Sequence, residues 1–385
     1  MTRCLKLFAC LTTTLCAGAA LAQTSDQPGT TSSPVSYVYV SRPTHIAAFA
    51  ASTTGKLTAV PGSPISGSVS SMSVNGKFLF GSGDNGKDIY SFSIGSNGAL
   101  KQVSETNAQK YNPSGCGSIG PVQIDDTGTT VYNQVTADCE DSAFIQSFKI
   151  EDKGELQFLG NATGGIPTDI ATLFPLRFLG TNKFAYQPGC ADDDGIVNPV
   201  NQVYKRESNG MLTIVDFDNV SPNSKNPDDI YCPWAFAADP TDHLAYAFQD
   251  FDNDSGEFVG PFVLATYTAD SHGILTTKST FENMPATDLA SISAMSISPS
   301  GKLLAVGGPG FQVFHFNGSS PITHYTGRLQ GDSGFQQFGW DGDNHLYALG
   351  GGKLFVYTVT STSIKEAPGS PYSIPEASSV IVLTK

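Results

Sequence analysis

The stretch that decides the fold is Ala294 to Phe316, AMSISPSGKLLAVGGPGFQVFHF. Met295 and Ile297 alternate with small or polar neighbours, SPSGK turns the chain, and LLAV follows as a second short apolar run. Alternation with a period of two, punctuated by Gly and Pro, marks short strands. The Gly307-Gly308-Pro309-Gly310 run is expected to break the second strand, and FQVFHF reads as a third.

Degraded copies of this stretch recur along the chain, and two markers set their register. One is a polar turn before the second strand: Asn75-Gly76-Lys77, Thr127-Gly128-Thr129, Thr181-Asn182-Lys183, Thr241-Asp242-His243, Ser300-Gly301-Lys302 and Asp343-Asn344-His345. The other is Gly-x-Leu between the third and fourth strands, at Gly55/Leu57, Gly98/Leu100, Gly154/Leu156, Gly210/Leu212 and Gly273/Leu275. The glycines lie 43, 56, 56 and 63 residues apart, the span of a four-stranded unit with loops of variable length. Repeats of this kind predict an all-β, seven-bladed β-propeller of four-stranded blades over residues 36–385. Six units are complete. The first lacks its innermost strand, while Ser378–Leu383 has no unit of its own. Placing that C-terminal strand in blade one closes the ring and removes free sheet edges.

Composition agrees with this class: 385 residues with 40 glycines, 23 prolines and 10% aromatic side chains. Residues 1–22 read as a signal peptide: Arg3 and Lys6, an apolar stretch, then Ala20-Leu21-Ala22 as the cleavage site. A lipoprotein cut before Cys16 is disfavoured by Leu15, and the apolar run is shorter than the ~20 residues a membrane span needs. Residues 23–35 read as a disordered linker rich in Ser, Thr, Pro and Gly. The expected product is a secreted or periplasmic monomer. Loss of Arg3 and Lys6 with the signal takes the net charge from −14 to −16, which argues against nucleic acid and anionic membranes as partners.

The repeat resembles the lactonase-family seven-bladed propellers, the group of 6-phosphogluconolactonase, carboxymuconate cyclase and exported proteins with YVTN-type repeats. The resemblance rests on SPSGKLLAV, the Phe/Tyr-rich third strands, the Gly-x-Leu turns and the blade ends VPGSPI and APGSPY. It implies a lactonase-type hydrolase with a His-rich segment entering an inner strand. Here those segments read SVSSMS, CGSIGPV, PTDIATL, YCPWAF, LASISAM, GFQQFGW and EASSV, without histidine. The resemblance therefore carries the fold and transfers no catalytic residue.

The carboxylates concentrate where second-to-third strand loops and the entries to inner strands share one face. Blade two has Asp84 and Asp88, blade three Asp138, Glu140 and Asp141, blade four Asp192 to Asp194, and blade five Asp228, Asp229, Asp250, Asp252, Asp254 and Glu257. Alternate acids at Asp250, Asp252, Asp254 and Glu257 are a candidate Ca²⁺ loop. Ser255 and Pro261 stand where an EF-hand has glycine and glutamate, and a solvated acidic loop is the competing reading. Three cysteines leave with the signal and four remain, Cys116, Cys139, Cys190 and Cys232. Of three possible pairings we expect Cys116–Cys139 and Cys190–Cys232, each tying a long loop to its neighbour. Arg177 stands alone among apolar neighbours in an inner strand, to anchor an anionic ligand or to pair with a carboxylate such as Asp169. The favoured function is a binding or scaffold module working through an acidic face, its partner a small molecule, a carbohydrate or a cationic protein. The alternative is a lactone hydrolase or lactonising enzyme, with Asp229 or Glu140 as base and Arg177 holding the substrate.

Overall fold

Each alternating run of the sequence turns back tightly onto the next, and the result is nearly all antiparallel strand. The computed structural model describes residues 33–113, 115, 117–136, 144–162, 175–193, 196–218, 221–226, 229–342 and 345–385. Pro34–Lys385 groups as one compact unit. The signal at 1–22 and most of the linker lie outside the described residues. Ser36–Arg42, His45–Ala51 and Leu57–Ala59 pair in order, and the C-terminal Ser379–Thr384 lies against Ser36–Arg42, with Ser36 opposite Thr384. Four-stranded sheets follow: Val69–Val74, Phe78–Gly83, Asp88–Ile94, Leu100–Asn107; then Ser118–Ile124, Thr130–Thr136, Phe144–Ile150, Leu156–Ala162. The next are Arg177–Phe178, Phe184–Asp193, Ile196–Arg206, Leu212–Asp218, and Ile230–Ala238, His243–Asp252, Glu257–Ala269, Leu275–Thr277. The rest forms one eight-stranded sheet in two halves, from Ala294–Ile297 to Ser320–His324 and from Leu329–Trp340 to Tyr372–Ser373. No described helix is long and apolar enough to cross a membrane. This architecture fits a β-propeller.

Burial falls from the middle of each sheet outward. Phe78–Gly83 and His345–Gly350 are buried at every position, while Leu100–Asn107 is buried only at its first residue. Middle strands with a neighbouring sheet on each face read as continuous apolar runs; outer strands face water.

Junctions between successive sheets reuse one device. Tyr39 Oη donates to Gly98 O (3.0 Å), Tyr132 Oη to Gly210 O (2.7 Å) and Tyr186 Oη to Gly273 O (2.9 Å). The acceptor is each time the glycine of the next sheet's Gly-x-Leu turn. Gly98 has φ +80°, and a Cβ there would lie 2.4 Å from the Tyr37 ring. Glycine is required for close approach as well as for its left-handed backbone. Elsewhere Asn75 Nδ2 reaches Gly128 O (2.8 Å), Thr266 Oγ1 reaches Gly318 O (2.5 Å) and Trp340 Nε1 reaches Ser296 O (3.2 Å). Arg206 pairs with the buried Asp125 (2.7 Å) and adds to the junction of the third and fourth sheets. The Val380 N–H donates to Gln337 Oε1 (2.8 Å), joining the C-terminal strand to the last sheet.

Three expectations change. Leu303–Asn317 is strand throughout, with no gap at the Gly-Gly-Pro-Gly run. It nevertheless reverses there, because Phe316 N–H bonds Lys302 O (2.9 Å) and Gly310 has φ +86°. The tip of that reversal pairs with the next strand, Pro309 opposite Gly334 and Phe311 opposite Leu329, which fuses two units into one sheet. The acidic stretch from Asp250 to Glu257 is the end of a paired hairpin, not a loop: Asp250 faces Val259 and Asp252 faces Glu257.

Candidate functional site

The first strands of the sheets converge on one cavity of about 470 Å³, within the usual range for small-ligand pockets. Ser71, Gln123, Arg177, Ala237, Ser296, Gln337 and Ser379 line it, one from each of seven strands or their edges. Several polar groups of this wall tie neighbouring strands together. Ser71 Oγ accepts from Val122 N–H (3.3 Å), and Ser73 Oγ from Ile124 N–H (3.1 Å). Gln123 Oε1 accepts from Arg177 Nη1 (3.2 Å), and Gln337 binds Val380.

Arg177 is the one charged side chain among the described lining residues. Its described partners are Gln123 Oε1 and, at 3.4 Å, the Leu176 carbonyl, both neutral. Burial lowers its pKa, yet a guanidinium stays protonated across the pH range in which proteins fold. Asp169, a partner considered for it from the sequence, lies outside the described residues. Ser379 is 2% exposed, and its Oγ has no hydrogen-bond partner among the described residues.

The acidic positions are distributed differently. Asp84 accepts from Ser68 Oγ (2.8 Å), Asp88 from Asn85 Nδ2 (2.5 Å) and Asp229 from Asn226 Nδ2 (2.9 Å). The Asp88 and Asp229 bonds serve local turns, and the Asp84 bond ties the open end of the Val69–Gly83 strand pair. Asp252 is held below the usual carboxylate range by hydrogen bonds from the Ser255 side chain and backbone and from Asp254 N–H. Asp250 is pushed up to about 6 by burial and by the charges of Asp229 and Asp252. Its Oδ1 is buried without a hydrogen-bond partner among the described residues.

Among the described residues no group of three or more His, Cys, Asp or Glu side chains is placed to hold a metal ion. Within the hairpin, Asp252 Oδ1 accepts from the N–H groups of Asp254 (2.9 Å) and Ser255 (3.3 Å). Glu140, Asp138, Asp141 and Asp228 lie outside the described residues, as do Cys116 and Cys139. Cys190 and Cys232 form a disulfide, Cα to Cα 5.6 Å, tying the hairpin of the fourth sheet to the inner strand of the fifth.

Sequence reading passed over the cavity wall itself. The segments scanned for histidine, SVSSMS, GFQQFGW and EASSV, already carry the serines and glutamines that line it. Polar residues repeating on the strands expected innermost were the available signal.

No protein-family model and no curated protein matches the chain. Solved structures do. A candidate 6-phosphogluconolactonase of Bacteroides uniformis aligns over 90% of this chain and 99% of its own, at 11% identity and a TM-score of 0.63. A functionally unknown protein of Desulfotomaculum acetoxidans covers 90% and 98%, at 13% identity and 0.57. A hypothetical selenium-binding protein of Sulfolobus tokodaii covers 91% and 94%, at 11% and 0.56. At such identities the likeness speaks for fold alone: the chain shares the fold of these structures, and its sheets fit a β-propeller.

Proposed function

We propose that this chain is an exported, ring-closed, seven-bladed propeller that binds a small hydrophilic molecule in its central channel. The five separate sheets and the two halves of the eight-stranded sheet are the seven blades, and Ser379–Thr384 closes the first. Hydrogen bonds between successive sheets, with Val380 on Gln337 at the last junction, support the closure. A disulfide at Cys190–Cys232 suits an exported chain. The observation that carries the binding role is the cavity lined by seven inner strands with hydroxyl, amide and guanidinium groups. It moves the working surface from the acidic rim, whose described carboxylates mostly serve local turns, to the channel.

The test is calorimetry and thermal shift with a panel of sugars, sugar acids and lactones, on the wild type and on Ser296→Trp. Ser296 is half-buried on the channel wall, so the indole fills the cavity without removing a side-chain hydrogen bond. Binding by the wild type that is lost in the variant supports the reading. Equal binding by both overturns it.

A lactone hydrolase is the second reading. Asp250, poised near 6 beside Asp229, has the protonation behaviour of a general base at neutral pH. The fold likeness to a candidate 6-phosphogluconolactonase points the same way. Lactone turnover followed by proton release, and abolished by Asp250→Asn, would establish it. A wild type that hydrolyses no lactone in the panel would remove it.

A further inference from the structure

The channel wall is chemically lopsided. Arg177, in the fourth blade, supplies its only charge among the described residues. The remaining described polar lining is neutral and includes Ser70, Ser71, Ser73 and Ser296 and, on the far blades, Gln337 and Ser379. A guanidinium carries five donors in a planar fork. Here the described fold engages Nη1 alone, with acceptors that carry no charge. A partly desolvated cation of this kind is costly until an anion meets it. Ser379 is a second, independent sign of an absent partner. It is almost fully buried, it lines the same cavity, and its hydroxyl meets no described acceptor or donor.

Resting on the channel reading above, we infer that the ligand is a hydroxylated monocarboxylate, with its carboxylate on the Arg177 fork and its hydroxyls on the serine and glutamine wall. One cation balances one negative charge, which favours a carboxylate over a phosphate dianion. Its planar geometry matches the fork with two parallel N–H···O bonds. The amide and hydroxyl wall offers both donors and acceptors, as a chain of hydroxyl groups requires. Gln123 is a positioning residue: its Oε1 holds Nη1, and its own Nε2 is anchored on the Ile124 carbonyl (3.2 Å).

The experiment titrates ribonate, ribitol and inorganic phosphate into the full-length wild type, Arg177→Gln, Arg177→Lys and Ser296→Trp. Ribitol has the same hydroxyl chain and no carboxylate. The wild type is expected to bind ribonate at least tenfold more tightly than ribitol or phosphate. Arg177→Gln should lose that preference while keeping its melting temperature, and Arg177→Lys should retain part of it, because charge remains and the fork is gone. Ser296→Trp should bind none of them. Equal affinity of the wild type for ribonate and ribitol, both lost in Ser296→Trp, overturns the carboxylate assignment and leaves the channel reading standing. Binding unaffected by Ser296→Trp overturns both. An Arg177→Gln protein that still prefers ribonate, whether or not it melts lower, marks the arginine as a structural residue and overturns the assignment. Arg177→Lys decides the matter should the glutamine variant fail to fold, since a lysine protein with wild-type preference also excludes the fork.

Discussion

Asp341 offers the sharpest test of how the two ends of the chain are joined. Its carboxylate is fully buried at the start of the turn before His345. It accepts from His345 N–H (2.9 Å), His345 Nδ1 (2.8 Å), Tyr347 Oη (2.8 Å) and, more weakly, Ser36 Oγ (3.3 Å). Ser36 belongs to the first strand of the chain's first sheet, so the cluster spans the junction that the C-terminal strand also bridges. Asp341→Ala strands three well-made donors in a dry site, at about 1–3 kcal/mol for each that finds no substitute. Tyr347 keeps Ser36 as a partner (3.1 Å), so the net loss is expected at about 3–5 kcal/mol. Asp341→Asn keeps one carbonyl oxygen and should lose less. Burial by itself raises the Asp341 pKa, but hydrogen bonds from the His345 side chain and backbone and from Tyr347 outweigh it and hold it below 3.8. A carboxylate depressed by folding adds stability that is fully present above its unfolded pKa near 4 and is lost as pH falls through the lower folded value. The wild type should therefore lose stability below about pH 4, and Asp341→Asn should show a flatter acid limb. Urea denaturation at pH 7 and at steps from pH 5 to 2 reads both effects. An alanine variant within about 1 kcal/mol of the wild type, or an acid limb unchanged by asparagine, would refute the reasoning.

Deleting residues 379–385 removes one of the two strand partners of Ser36–Arg42 and the Val380–Gln337 bond; the expected result is loss of the cooperative thermal transition, and a truncated protein that melts like the intact one would sink the closure. Replacing Cys190 and Cys232 by serine opens a loop of 42 residues, which the loop-entropy relation values at about 4 kcal/mol; a denaturant midpoint unmoved by the change, or by reductant on the wild type, contradicts the brace. Asp250 behaves oppositely to Asp341. Its raised pKa, about 6, means that ionisation weakens the fold as pH rises from about 4 through 6. Asp250→Asn should then raise the melting temperature at pH 8, by ~2 °C or more, and leave it unchanged at pH 4; a rise at both pH values would point to a cause other than charge.

What the sequence made legible follows from how locally each feature is determined. Alternation and turn chemistry are properties of five or six adjacent residues, so the strands around Tyr39, Phe80 and Leu346 stand where the pattern puts them. Gly-x-Leu was readable for its backbone but not for its contact, because the ring that crowds Gly98 comes from Tyr37, in another sheet. Hairpin length was misjudged for a related reason. Asp250 and Asp252 look like loop residues by polarity, yet they remain in register with Val259 and Glu257, since an exposed arm can carry acids without breaking its backbone ladder. The cavity was hidden more deeply. Arg177 was visible as an anomaly in an apolar strand, but its neighbour Gln123 is 54 positions away, and Ser379 lies at the far end of the chain. Only the packing of successive sheets against one another brings those residues to one wall. A repeated sheet therefore conceals its site from sequence in proportion to its regularity: each sheet contributes a side chain or two that looks ordinary alone, and the chemistry exists only in their sum.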